Sequence, residues 1–225
     1  MPDRLLFPDA EAAADALTFA GRAGTLGGET ALRLRAQAGT LVMTTAVLWP
    51  RTLLEEIPTI LAMRALPVDP ELECDLSIAA PGLVGTEDPH ALALPETAVT
   101  APWAGISPPR SGWTDLGEVP ASVLAARSQW GMAAVAHDLP NDPGEDLVRT
   151  VRAHVWGEAD DDLQGLPRGV AFAGTAMGFV HGEEQAVVRS APGWTRVSLR
   201  RGHVLVRRAV RSGLTPVRAT GAGRD

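Results

Sequence analysis

Residues 194–208 read Trp-Thr-Arg-Val-Ser-Leu-Arg-Arg-Gly-His-Val-Leu-Val-Arg-Arg, and this stretch predicts a β-hairpin. Apolar and polar residues alternate over 194–200, which is typical of a half-buried strand. Arg200-Arg201-Gly202 supplies a turn into a second strand over 203–208. Together with a strand over 185–190, the hairpin is predicted to form an antiparallel meander.

The predicted hairpin carries its charge on one side. Side chains of a strand point alternately to its two faces, so Trp194, Arg196, Ser198 and Arg200 share one face. Arginine binds carboxylates and phosphates in a planar, two-pronged geometry, which makes this face a candidate surface for an acidic partner. The candidate partner-binding residues are Trp194, Arg196, Arg200, Arg201, Arg207 and Arg208.

The distribution of charge along the chain supports that interpretation. Residues 189–225 contain nine arginines and one acid, Asp225, which gives +8, whereas the 11 arginines and 26 acids of residues 1–188 give −15. The arginines could meet an acidic protein surface, another subunit of a homo-oligomer, or the acids of the same chain. Nucleic acid is the less favoured partner, because the net charge of −7 repels a polyanion at long range.

The rest of the chain predicts both helices and strands. Asp9 is suited to cap a first helix, and Leu32 and Leu34 alternate with Arg33 and Arg35 in the pattern of a half-buried strand. We expect an α+β protein in which antiparallel strands and meanders pack against helices. The predicted helices cover 9–22, 120–138, 143–156 and 167–180, the predicted strands cover 31–36, 41–48, 60–65, 74–79 and the meander, and 81–117 is predicted to be mostly loop.

Two similar stretches suggest an internal repeat. Phe19-Ala-Gly-Arg-Ala leads through Gly28-Glu29 into a predicted hairpin, and Phe172-Ala-Gly-Thr-Ala leads through Gly182-Glu183 into another. The two units could pack as a pseudo-symmetric pair of helix-hairpin units. We therefore divide the chain into an N-terminal α+β half, 1–117, and a C-terminal half with the helical pair and the meander, 118–225, which together form one compact unit.

The Pro- and Gly-rich loop 101–113 contains two tryptophans with an arginine between them. Tryptophan is costly to expose, so one interpretation is that both rings anchor the loop to the core. In the other, the loop forms a ligand site in which the arginine stacks on an indole or binds an anion. The candidate ligand-binding residues are Trp103, Arg110 and Trp113.

The residues present exclude several kinds of chemistry. The chain has no lysine and no tyrosine, which rules out Schiff-base catalysis, a pyridoxal-phosphate anchor, a Walker A lysine and a tyrosine acid. The glycine-rich stretch 21–28 follows a helix and precedes a strand, the reverse of a dinucleotide-binding loop. No HExxH, paired CxxC or G-x-S-x-G sequence occurs, so we predict no metal site and no cofactor. A helix-turn-helix over 120–156 is disfavoured because its second helix begins with acids that would repel DNA.

The single cysteine bears on the cellular location. Cys74 cannot form an internal disulfide, which favours a reducing cytoplasm. Its neighbours Glu73 and Asp75 would raise the pKa of its thiol, so we interpret it as a structural residue. No secretory signal is apparent, and the longest apolar run, 169–180, is too short to span a bilayer. We expect a cytoplasmic protein without membrane contact.

The sequence leaves two functions open, and it does not decide whether the protein is an enzyme. The first is a non-catalytic binding or assembly protein that uses the arginine-rich hairpin for an acidic partner. The second is a small-molecule enzyme or ligand-binding protein with a site near 101–113, facing the acids and histidines of 154–184. The first would lose its basis if the hairpin arginines paired within the chain, and the second if its two segments lay apart.

Overall fold

The computed structural model describes residues 2–27, 30–52 and 55–209. It has an α+β fold in which helices pack against one face of an antiparallel sheet. None of the described helices is long and apolar enough to cross a bilayer. The helices are α1 (Ala10–Gly24), α2 (Ala121–Asp138), α3 (Glu145–Gly157) and α4 (Gly169–Ala176), with short 3-10 helices at Ala80–Gly82, Pro102–Gly105 and Asp161–Leu163.

The described strands fall into one large sheet and two small ones. The three long strands of the predicted C-terminal meander are present close to their predicted bounds. In chain order the strands are β1 (Arg4–Leu6), β2 (Ala31–Gln37), β3 (Thr40–Leu48), β4 (Thr59–Pro67), β5 (Cys74–Ala79), β6 (Val84–Gly85), β7 (Ala91–Ala93), β8 (Thr114–Pro120), β9 (Ala159–Asp160), β10 (Leu166–Pro167), β11 (Gln185–Ala191), β12 (Trp194–Leu199) and β13 (Gly202–Arg207).

The large sheet has the strand order β5-β2-β3-β4-β13-β12-β11-β8, and each strand is antiparallel to its neighbours. A second sheet has the order β1-β7-β6, and β9 pairs with β10. The turn between β2 and β3 consists of Ala38 and Gly39, whose φ angles of 49° and 76° are those of a tight two-residue hairpin turn. The turn between β12 and β13 is the predicted Arg200-Arg201.

The central strand pair β4–β13 joins two similarly arranged halves of the large sheet. β2, β3 and β4 follow α1 on one side of this pair, and β11, β12 and β13 follow α4 on the other. An edge strand, β5 or β8, flanks each set. The predicted helix-hairpin units are therefore arranged as a pseudo-symmetric pair, although Gly28-Glu29 lies outside the described residues. The division at 117/118 stays a prediction, because one sheet contains strands from both parts.

The main core lies between the helices and one face of the large sheet. Phe19 of α1 stacks on Phe179 with ring centroids 6.3 Å apart, and Trp156 of α3 stacks on Phe172 of α4 at 4.5 Å. Gly131 of α2 lies against Trp156, and a Cβ atom built on it would be 2.2 Å from Cζ3 of that ring. This glycine is unfavourable in a helix by propensity, but it lets α2 approach α3.

The helix boundaries differ from the sequence prediction by up to four residues. α3 begins at Glu145, two residues later than predicted, with Gly144 as its N-cap, and Asp142 before it has a φ of 57°. α4 ends at Ala176 instead of 180, because Met177 caps it and Gly178 takes a φ of 67°. The predicted cap of α1 is confirmed, since the carboxylate of Asp9 accepts a hydrogen bond from the backbone N–H of Ala12 at 2.7 Å.

The strand β8 was not predicted, because most of its segment lies within the Pro- and Gly-rich stretch 81–117. It contains Gly117 and ends at Pro120, residues that weaken an interior strand. β8 is an edge strand that, among the described strands, pairs with β11 alone, with a register shift between Val188 and Arg189. An edge position tolerates such residues because one side of the strand forms no backbone hydrogen bonds to a neighbouring strand.

Cys74 is half-buried beside the main core. Burial is the largest cause that raises the pKa of its thiol, and the charge of Asp75 raises it further. The direction agrees with the sequence-based expectation, but the main cause is burial.

Candidate functional site

The face of the large sheet opposite the helices carries arginines and a second apolar cluster. Arg33 and Arg35 of β2 lie on this face together with Arg196 of β12. The cluster here is separate from the main core. Its buried members are Ala46, Leu61, Trp194 and Leu205, and Trp49, Met63, Trp103 and Trp113 pack against them.

The 101–113 loop lies over this face and is fixed to it by Arg33. The guanidinium forms a two-pronged ion pair with the carboxylate of Asp75 on β5, at 2.7 and 2.8 Å. Its Nη1 also donates to the carbonyl oxygen of Ala104 at 2.7 Å and to Oγ of Ser107 at 3.0 Å. The hydrogen bond between Arg33 and Asp75 raises the pKa of the arginine and lowers the pKa of the carboxyl. Both groups therefore stay charged at neutral pH.

The two loop tryptophans and Arg110 make further contacts with the sheet side. Trp103 and Trp113 are half-buried against the second cluster. Nε1 of Trp113 donates a hydrogen bond to the carbonyl oxygen of Pro109 at 3.0 Å. Nη2 of Arg110 donates to Oε1 of Gln37, at the end of β2, at 3.2 Å. The rings thus anchor the loop, while the polar end of Arg110 reaches back over β2.

Between the loop and the sheet lies a cleft of about 350 Å³, which we call the arginine cleft. On the sheet side, its lining residues come from β2, β3, β4, β13 and β12. The cleft therefore crosses five adjacent strands, or about 19 Å at the usual strand spacing. No carboxylate, histidine or cysteine is among the described residues that line it. Its defining residues are Arg33, Arg35, Ser107, Arg110, Trp113 and Arg196.

Arg196 has little compensation for its charge within the cleft. Its guanidinium carbon lies 4.6 Å from the centroid of the Trp113 ring. Its Nε atom is buried and has no hydrogen-bond partner among the described residues. Burial lowers the pKa of Arg196, and the charge of Arg189 lowers it further. An oxyanion bound to this guanidinium would supply the missing counter-charge.

The other arginines of the cleft also have spare binding capacity. Arg35 makes neither an ion pair nor a side-chain hydrogen bond with another residue in the described ranges, and Arg110 bonds only to the neutral side chain of Gln37. Of the four guanidiniums, only that of Arg33 has a carboxylate partner in the described part of the chain. The cleft therefore has an excess of positive charge.

A second pocket of about 260 Å³, the tryptophan pocket, lies on the same face. Ile106 lines this pocket and the next residue, Ser107, lines the arginine cleft, so the loop separates the two sites. Trp194 and Arg196, two residues apart on β12, also line one site each. The defining residues of the tryptophan pocket are Trp49, Arg51, Trp103, Ile106, Trp194 and Arg207.

The predicted partner-binding residues of the hairpin do not form one surface. Arg196 lines the arginine cleft, and Arg207 lines the tryptophan pocket. Trp194, predicted on the charged face, is only 6% exposed because it belongs to the second cluster. Arg211 and Arg218, which follow the hairpin in the sequence, lie outside the described residues. The remaining three arginines are exposed and lie outside both sites: Arg200, Arg201 and Arg208.

The structure combines residues that the sequence analysis assigned to separate sites. Arg110 and Trp113 of the loop share the arginine cleft with Arg196 of the hairpin. Arg33 and Arg35 were not predicted as site residues, although their alternation with leucines had already placed them on the solvent face of a strand. Among residues 189–208, Arg189 of β11 pairs with Asp115 at 3.7 Å, and the arginines of the hairpin itself form no ion pair with a described residue. Acids of the same chain therefore do not neutralise the hairpin there.

The joint site predicted between 101–113 and 154–184 is not formed. The loop packs on the face of the second cluster, whereas α3 and α4 pack on the main core. No residue of 154–184 lines the arginine cleft or the tryptophan pocket. In the described ranges no group of three or more His, Cys, Asp or Glu residues is placed to hold a metal ion.

Comparisons with protein families give two matches. Residues 1–105 match a domain of unknown function (DUF8010), and residues 108–211 match another domain of unknown function (DUF8185). Each match covers a little under half of the chain, and the two ranges meet inside the 101–113 loop. No curated protein matches this chain.

Among solved structures, similarity is found to bacterial sliding clamps. The DNA polymerase sliding clamp from Caulobacter crescentus is 11% identical with a TM-score of 0.47, over 100% of this chain and 70% of that one. The DnaN sliding clamp from Bartonella birtlesii, bound to griselimycin, is 11% identical with a TM-score of 0.48, over 100% and 67%. A putative DNA polymerase III beta subunit from Eubacterium rectale is 8% identical with a TM-score of 0.46, over 93% and 65%. Similarity at this level assigns no role to any residue of this chain.

Proposed function

We propose that this chain is a non-catalytic binding protein whose arginine cleft holds an acidic segment of a partner. The observation that carries the proposal is the charge of the cleft, where four arginines meet and no described lining residue is acidic. A guanidinium is always protonated and presents up to five donors in one plane, which suits carboxylates and other oxyanions.

The surroundings of these arginines strengthen their interaction with an anion. A fully exposed ion pair contributes about 0–1 kcal/mol, because water screens it. The indole of Trp113 and the rings of Pro108 and Pro109 border the cleft and reduce its contact with water. Hydrogen bonds to charged groups are then worth about 1.5–3 kcal/mol each.

The shape of the cleft favours a ligand with several acidic groups. Arg35 on β2 and Arg196 on β12 lie at its two ends, on strands about 19 Å apart. One small oxyanion would bind only some of the arginines along this length. An extended peptide advances about 3.3 Å per residue, so about six residues would cross the cleft.

The lining of the cleft is unsuited to proton transfer. A general base for neutral pH needs a side chain that titrates near that range, and the described lining has no histidine, carboxylate or cysteine. The hydroxyl of Ser107 accepts a hydrogen bond from Arg33 and has no basic neighbour to activate it. The cleft is therefore proposed to bind and not to catalyse.

The proposal is tested by titrating hexaglutamate into the protein by isothermal calorimetry at two salt concentrations. We expect binding that weakens with added salt, and a loss of about tenfold or more in affinity in the double variant Arg35→Gln, Arg196→Gln. The matched control is Arg200→Gln, Arg201→Gln, which removes the same charge at an exposed turn of the same hairpin.

The control distinguishes binding at the arginine cleft from a general attraction to the positive charges of the chain. Equal losses in both double variants would mean that hexaglutamate senses only the total charge of the chain. That result, or no binding to the native protein, would contradict the proposed function.

A further inference from the structure

We infer that the partner is a protein whose extended acidic segment carries an apolar side chain next to its acids, and that this side chain enters the tryptophan pocket. The inference rests on the proposed function, because it takes the arginine cleft as the site of the acids. It adds a second contact and names the chemical class of the partner.

The two sites are close enough for one short segment to reach both. Arg196 and Trp194 line one site each and are two residues apart on β12, which corresponds to about 7 Å. On β13, Leu205 and Arg207 are related in the same way. An apolar side chain two or three residues beyond the acids would therefore lie over the tryptophan pocket where the peptide turns from the line of the cleft into the direction of β12.

The tryptophan pocket offers apolar surface bordered by positive charge. Trp49 and Trp103 are half-buried in it, and Ile106 is 46% exposed. Burying a leucine-sized side chain is worth about 1.5–3 kcal/mol. Arg51 and Arg207 line the same pocket, so an apolar residue flanked by acids fits it better than one flanked by basic residues.

Single-stranded nucleic acid fits these sites less well. Non-specific binding of single strands uses exposed aromatic faces on which bases stack. Here Trp194 is 6% exposed, and the ring of Trp113 is already covered by the guanidinium of Arg196. These two rings serve mainly as anchors, and the net charge of −7 repels a long polyanion. A short acidic peptide needs no stacking face and carries fewer charges, so the repulsion is weaker.

The test compares labelled probes by fluorescence anisotropy. The first is an acidic peptide with a leucine about three residues beyond its last glutamate, and the second has serine in place of that leucine. Hexaglutamate and oligothymidylate are the reference probes. The protein variants are Ile106→Ser in the tryptophan pocket and Val84→Ser on β6, a matched control because Val84 is similarly exposed, at 49%.

We expect the leucine peptide to bind about tenfold more tightly than the serine peptide. Ile106→Ser should remove most of that gain without changing the affinity for the serine peptide, and Val84→Ser should change neither. Equal affinities of the two peptides would overturn the inference and leave the arginine cleft as an anion site. Stronger binding of oligothymidylate, lost in Arg35→Gln, Arg196→Gln, would also overturn it. If no acidic probe binds, the proposed function itself fails.

Discussion

The guanidinium carbon of Arg196 lies 4.6 Å from the centroid of the Trp113 ring, which joins the C-terminal hairpin to the loop that covers it. Both residues line the arginine cleft. The contact holds the guanidinium in place while its Nε atom stays without a hydrogen-bond partner in the described ranges. The side chain of Arg196 therefore contributes to packing through Trp113 and also to the proposed anion binding, and a substitution can separate the two contributions.

Arg196→Met should separate the charge of this residue from its packing. Methionine keeps an unbranched stem beside Trp113 but has no charge, so the free energy of unfolding should change by no more than about 1 kcal/mol. The affinity for hexaglutamate should fall about tenfold. Urea denaturation and calorimetry measure the two effects. Native affinity in this variant would show that Arg196 does not contact the anion.

Gly131→Ala should destabilise the protein by about 1–3 kcal/mol, because the added Cβ would lie 2.2 Å from the Trp156 ring and overpack the contact of α2 with α3. Gly21→Ala on α1 is the matched control. It has open space at the Cβ position, so alanine should stabilise its helix by about 0.5–1 kcal/mol. Urea denaturation of both variants measures the difference. Changes of the same sign would contradict the packing of α2 against Trp156.

Asp75→Asn should loosen the 101–113 loop, because it removes the carboxylate that orients Arg33 toward Ala104 and Ser107. Amide hydrogen exchange within the loop should become faster, with a loss of about 1 kcal/mol in stability, since Asp75 is partly exposed. Asp115→Asn removes the same charge from a more exposed pair with Arg189 and should leave the loop unchanged. Similar exchange in both variants would mean that Arg33 does not hold the loop.

The stability of the protein should depend on pH through His203. Burial lowers the pKa of this imidazole, and the charge of Arg196 lowers it further. In the unfolded chain the group titrates near 6.5, so below about pH 6.5 the unfolded state binds more protons. The contribution of His203 to the free energy of unfolding is therefore fully present above that pH. It decreases as the pH falls toward the folded-state pKa of the imidazole.

Denaturation between about pH 7.5 and 5.5 tests this dependence. His203→Gln should flatten the decrease, whereas His137→Gln, at an exposed position on α2, should retain it. An unchanged pH profile in His203→Gln would assign the decrease to other groups.

Local patterns predicted most of the fold, and long-range pairing accounts for what they missed. Alternation over 31–36 and 194–200 is a local signal and predicted β2 and β12. β8 was missed because Gly117 and Pro120 argue against a strand unless it is known to lie at an edge. Gly131 disfavours a helix at α2 by its propensity, and no local pattern reveals the Trp156 ring that requires it.

The candidate site was predicted in parts but not as a whole. The sequence identified Arg110, Trp113 and Arg196, and placed Arg33 and Arg35 on a solvent face. Their meeting in one cleft depends on the β4–β13 pair, which brings the two halves of the chain into one sheet. Alternation places a residue on a face, but it does not show which strands are neighbours.

The most direct test of the central claim is to locate where an acidic ligand binds. In a titration with hexaglutamate followed by NMR, the indole N–H signals of the tryptophans report the location. We predict that the signal of Trp113, whose Nε1–H donates to Pro109 beside the arginine cleft, shifts progressively with added peptide. The signals of Trp130 and Trp156, which line neither site on the loop face, should stay in place. A titration that moves Trp130 or Trp156 and leaves Trp113 unchanged would contradict the account.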